Sequence, residues 1–184
     1  MTTEEIIGKI SAHMVEGMMF HEAMADYYEF LGLEGYSKCH KHHYIAETVS
    51  RICLHERYLK TFNKLIKDDI VDSSRVIIPI NWDKMSRLDI DTATKRNAVK
   101  TGITEWWKWE SETLKLYSEL HKGAEYRLAG MIECLIDNVQ KELYSIEQKY
   151  MDLSATNYDI YHIIKDQKHM VSKYEGDYYG LSSV

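Results

Sequence analysis

The chain has 184 residues, a formal net charge of −6, 45% hydrophobic and 28% charged residues. That length suits one domain with a sizeable core, and the balance is that of a globular protein rather than a disordered one. The acidic excess argues against nucleic acid as a partner, since phosphate binding rests on clustered Lys and Arg, and no apolar run reaches the ~20 residues that cross a bilayer.

The opening MTTEEIIGKI is acidic at once and lacks the basic-then-apolar order of a secretory leader. Three cysteines, Cys39, Cys53 and Cys134, form no C-x-x-C pair. They read as small core residues in a reducing, cytoplasmic setting, not as a disulfide or zinc framework. The single proline, Pro79, leaves long stretches free for uninterrupted helices.

A first helix is expected from about Thr3 to Leu31, with Thr2 and Thr3 ahead of Glu4 and Glu5 as a capped, acidic first turn. Its apolar stripe runs Ile7, Ile10, Met14, Met18, His21, Ala25 and Tyr28. Gly32 and Gly35 are expected to make the turn that follows. A second helix is expected from about Tyr36 to Lys67, with Tyr36, His40, His43, Glu47, Ser50, Leu54, Tyr58 and Leu65 facing inward.

Residues 68–91 break the helical pattern and read as an extended crossover, with the apolar strip Val76 to Ile80 laid on the helices. A third helix follows from about Thr92 to His121, capped by Asp91 or Thr92. A fourth begins after Lys122 and Gly123 and reaches about Asp152. The inward face of the fourth reads Ala124, Leu128, Met131, Leu135, Val139, Leu143, Ile146 and Tyr150, almost wholly apolar. A shorter helix over about 157–172 and a loose aromatic tail, 174–184, complete a single all-α domain.

The connections run short, long, short. Short turns make antiparallel neighbours, and a long crossover can return along the ~45 Å of a thirty-residue helix at ~1.5 Å per residue. In helix lengths and connection order, residues 3–152 resemble the ferritin-like four-helix bundle with one long crossover, and the last helix resembles the fifth helix of ferritins. The texture of Glu16 to Glu22 and of His43 to Glu47 is similar to small uncharacterised proteins of phages and prophages of Gram-positive bacteria.

Ferritin-like di-metal proteins carry a Glu on two helices and Glu-x-x-His on the other two. Here Glu47 is followed by Ser50, Glu133 by Ile136 and Glu142 by Ser145, so that motif is absent. A different set remains. His40, His43 and Glu47 share one face of the second helix, and the i, i+4 spacing of His43 and Glu47 lets both reach one point. His21 sits in the stripe of the first helix, and Glu110 on the inward face of the third with Val99, Ile103, Trp106 and Tyr117. The fourth helix is expected to send no ligand.

Buried polar groups need partners. One answer is a cation held by His21, His43, Glu47 and Glu110, with His40 as a further ligand; Fe, Mn or Zn suits that set. The other is a metal-free hydrogen-bonded network drawing on Tyr28 or Tyr117. Glu16 and Glu22 are expected to be solvated, as are His13, Glu105, Glu112 and His121, and His42 and His55 should point outward. Trp106 should be core, with Trp107 or Trp109 exposed as a contact in a homodimer. The expectations for function are a metal-binding ferritin-like protein, as an enzyme a metal-dependent oxidoreductase, or a non-catalytic phage-associated scaffold without metal. A DinB-like metal-dependent hydrolase or transferase is a third, but its histidine trio is not matched.

Overall fold

The computed structural model describes residues 1–75, 86, 88 and 90–174. Five helices follow in order: α1 (Thr3–Phe30), α2 (Glu34–Phe62), α3 (Thr92–Lys122), α4 (Tyr126–Ala155) and α5 (Ile160–Tyr174), with a short 3-10 turn at Ser73–Arg75. There is no strand among the described residues, and no described helix is long and apolar enough to cross a membrane.

Local chemistry sets the helix ends. Thr2 and Glu5 form a capping box: the Glu5 N–H donates to the Thr2 hydroxyl at 3.2 Å, and the Thr2 N–H donates to the Glu5 carboxylate at 2.8 Å. Gly32, at φ +67°, makes the turn out of α1. Asp91 caps α3 by accepting from the Thr94 N–H at 2.7 Å. The second helix ends at Phe62, before the expected Lys67, because Asn63 adopts the left-handed conformation and closes the last turn onto the Leu59 carbonyl. Leu65, expected on the inward stripe, therefore lies past the helix and is exposed.

Gly35 has a different role from the one expected. It lies inside α2, and a Cβ there would stand 2.2 Å from the Gln167 carbonyl oxygen. The missing side chain lets the α5 backbone rest on α2.

α1 packs along α2, α3 along α4, and α5 on α2. The chain leaving α2 turns back along α1. Lys64 pairs with Glu4, the Asp69 N–H donates to the Gly8 carbonyl at 3.1 Å, and the Asp72 N–H donates to Glu16 Oε1 at 2.8 Å. α3 starts at the far end of α1, where a Cβ on Gly32 would lie 3.6 Å from Lys95 Nζ. The strip Val76 to Ile80 and the tail from residue 175 lie outside the described residues.

Two apolar clusters fill the interior. One gathers Met24, Tyr28 and Leu31 with Val99, Ile103, Ile146, Leu153 and Ile163. The other gathers Ile7, Ile10 and Met14 with Leu54, Tyr58, Leu120, Leu128 and Val139. Along α2, α3 and α4 the clusters leave a gap at residues 43–47, 110 and 142, and polar side chains fill it.

Several surface expectations are corrected. Glu16 and His13 are buried, not solvated: His13 Nε2 lies 2.8 Å from the Thr113 hydroxyl, and its ring stacks on Trp109 at 4.9 Å. Glu16 is drawn inside because the returning chain supplies it with the Asp72 N–H. Cys39 is buried as expected, but Cys53 and Cys134 are exposed. Trp106 is core. Trp109 is core as well, stacked on Phe20 at 5.2 Å, so it offers a partner nothing; Trp107 is partly exposed and donates from Nε1 to Glu147 at 3.2 Å.

Candidate functional site

The polar layer is built by four helices. His21 comes from α1, His40, His43 and Glu47 from α2, Glu110 from α3 and Glu142 from α4. His43 Nδ1 lies 2.8 Å from Glu142 Oε1. His21 Nδ1 lies 2.9 Å from His40 Nδ1, and His21 Nε2 lies 3.8 Å from Glu110 Oε1. His21, His43 and Glu142 each offer one ligand atom, and these atoms lie within 4.8 Å of one another. Trp106 walls the layer, its ring centroid 6.1 Å from that of His21, 4.8 Å from His40 and 4.9 Å from His43.

Burial and mutual charge decide the protonation states. Burial holds His21 well below the ordinary imidazole range, and neighbouring His43 and His40 push it further down. Burial likewise depresses His40, with His43 adding to it. His43 goes the other way: burial opposes its charge, but the Glu142 carboxylate and the Cys39 side chain outweigh burial and lift it well above the ordinary value. Glu47 is pushed up to about 7 by burial and then by Glu142, against a smaller pull from His43. Burial, then Glu142 and Glu47, raise Glu110 well above the carboxylate range. Three carboxyl groups thus compete for one imidazolium, and they cannot all ionise together at low cost.

One of those carboxyl groups is also short of hydrogen bonds. Glu110 Oε1 is a buried atom with no well-formed hydrogen bond among the described residues, His21 Nε2 standing 3.8 Å away, whereas Glu142 Oε1 has His43 Nδ1 at 2.8 Å. Acceptor oxygens in this condition are costly unless a cation or a proton satisfies them. The His21 and His40 contact has a complementary effect. With one ring nitrogen engaged by His40, His21 presents the other toward Glu110, the arrangement that orients a ligating imidazole.

All the expected site residues meet in this layer, with different roles. His21 and His43 belong to the tight ligand group. Glu47 and Glu110 lie beside it and act on it electrostatically. His40 supports His21 from behind. Glu142 overturns the expectation that the fourth helix contributes nothing. It stands three residues after Val139 and four before Ile146, both buried, so it shares their face. The neighbouring apolar Leu143 fits the same spacing, and polarity alone favoured it. The signal available in the sequence was that placement between two core residues.

No protein-family model matches the chain, and a search of curated proteins finds no match.

Proposed function

We propose that this chain is a ferritin-like four-helix bundle that binds a divalent metal ion in its interior, through His21, His43 and Glu142, with Glu47 and Glu110 completing the acidic surroundings. The observation that carries this reading is the convergence of the three ligand atoms, from α1, α2 and α4, within 4.8 Å. The donor chemistry fits a cation. His21 is held neutral, as a ligand must be, and its orientation is fixed by His40; His43, held protonated beside Glu142, has to give up its proton to the ion. The competing carboxyl groups would be relieved by positive charge, and the underbonded Glu110 Oε1 would gain a partner.

The ferritin-like reading draws on the long return between α2 and α3 and on a polar layer at mid-height that receives a side chain from every long helix. The set of two imidazoles and carboxylates suits Fe, Mn or Zn. The bound ion would supply Lewis acidity and, as Fe or Mn, one-electron chemistry.

Elemental analysis of the purified protein, before and after anaerobic loading with Fe(II), Mn(II) or Zn(II), tests this. Near-stoichiometric metal that is lost in folded His43→Ala and Glu142→Gln variants is the expected result. A protein that stays metal-free after loading with each ion would reduce the layer to a hydrogen-bonded network and leave a non-catalytic scaffold as the better reading.

A further inference from the structure

The interior layer is not sealed evenly. The His21 and Glu110 side chains are 1% and 2% exposed, whereas His43 and Glu142 keep 19% and 23%. This half-buried pair lines a cavity of about 710 Å³ between α2, α4 and α5. That volume falls among small-molecule pockets. Trp106, Ile146 and Met170 give it an apolar wall.

Its rim is basic, on a chain whose net charge is −6. Lys149 is matched by Asp166 at 2.7 Å, and Lys173 lies over the Tyr174 ring at 5.1 Å. Lys141 on α4 and Lys165 on α5 line the same cavity and have no ion-pair partner among the described residues. Asp152 is the lining acid left over once Asp166 is matched by Lys149 and Glu142 by His43. A cationic ligand would meet two unmatched ammonium groups before reaching the layer; an anion would be drawn past them.

We propose that this groove binds a small organic anion, its acidic group held by Lys141 and Lys165 and its apolar body packed on Trp106, Ile146 and Met170 against His43 and Glu142. This deepens the metal reading by naming the substrate class that reaches the same site, and it can be tested without metal. α5 is essential to it, because Lys165 and Met170 come from that helix.

The probes are benzoate and phenyl phosphate, which share an apolar ring and differ in the acidic group, with benzyl alcohol as the uncharged comparison. Binding is followed by amide chemical shifts in metal-free and metal-loaded protein, for the wild type, a Lys141→Gln, Lys165→Gln double variant and a Lys115→Gln control on the exposed face of α3. At least one anion should shift α4 and α5 resonances, bind about tenfold more weakly to the double variant, and bind unchanged to the control. Benzyl alcohol should bind more weakly than the better-bound anion. Which anion binds more tightly assigns a carboxylate or a phosphate head. Absence of binding by both anions at roughly 20 mM, or equal binding to the double variant, would overturn the proposal. Lysine-dependent binding to a protein that takes up no metal would leave the groove standing and remove the metal reading; metal uptake without anion binding would do the reverse.

Discussion

His43 and Glu142 meet across α2 and α4, Nδ1 to Oε1 at 2.8 Å, with the whole of α3 between them in the chain. This contact joins the buried layer to the groove outside it. It lifts the basicity of His43, and the Glu142 charge adds to burial in raising the two remaining carboxyl groups. The acid–base behaviour of the interior is thus set by burial and tuned by this contact.

In the metal-free protein the raised groups, Glu47 and His43, should withdraw stability as pH rises, against an opposite contribution from His21 and His40. Glu47 ionises at about 7 in the fold against 4.5 for the free side chain. The native state thus holds a proton that the unfolded chain has released, and the resulting stability is present below about 4.5 and gone above about 7. His43, raised as well, contributes below 6.5 and loses that contribution as pH climbs through its folded value. His21 and His40, depressed, act oppositely: their contribution is complete above 6.5 and is lost on acidification. Urea unfolding in chelator at about pH 5.5 and about pH 8 should show Glu47→Gln removing a loss of about 2 kcal/mol across that interval.

Metal uptake should release protons. His43, a ligand, holds a proton in the absence of a cation, as do Glu110 and Glu47 beside it, so an entering ion must displace at least part of them. Apparent affinity should rise between about pH 6 and about pH 8. Titration calorimetry in two buffers of different ionisation enthalpy should count roughly one proton or more released per ion at about pH 6.5. A heat independent of buffer would exclude these carboxyl groups from the response.

Gly35→Ala should loosen α5. The added Cβ would fall 2.2 Å from the Gln167 carbonyl oxygen, a backbone atom that can move only with its helix. A destabilisation of about 1–3 kcal/mol is expected from the overpacking. Amide exchange should quicken first in α5, and anion binding in the groove should weaken in parallel.

Glu16→Ala should free the start of the crossover. The Glu16 carboxylate accepts from the Asp72 N–H at 2.8 Å and lies 3.3 Å from His13 Nδ1. Its loss should cost about 1–3 kcal/mol and raise amide exchange around Asp69 and Asp72, with α3 and α4 little changed. Protection unchanged at Asp72 would show that the segment is held without Glu16, by contacts such as Asp69 to Gly8, Lys64 to Glu4 and Arg51 to Asp68.

The helices are legible in the sequence, because periodicity and capping are local. The spacing from Ile7 to Tyr28, the Thr2 and Glu5 pair, and Asp91 ahead of Thr94 each name an element without reference to distant residues. It also placed His21, His43, Glu47 and Glu110 on inward faces, since a helix face depends only on spacing. Tertiary structure alone decided what those faces meet. Leu143 packs on an apolar cluster as its spacing implies, and only the gap between the two clusters decides that Glu142 beside it faces inward as well. Gly35 looks like a turn glycine until α5 lies on it. Glu16 looks solvated until the chain leaving α2 returns along α1 and the Asp72 N–H donates to it, and His13 until α3 brings Thr113 and Trp109 against its ring. In each case the deciding partner is far away in the chain, and no local spacing encodes it.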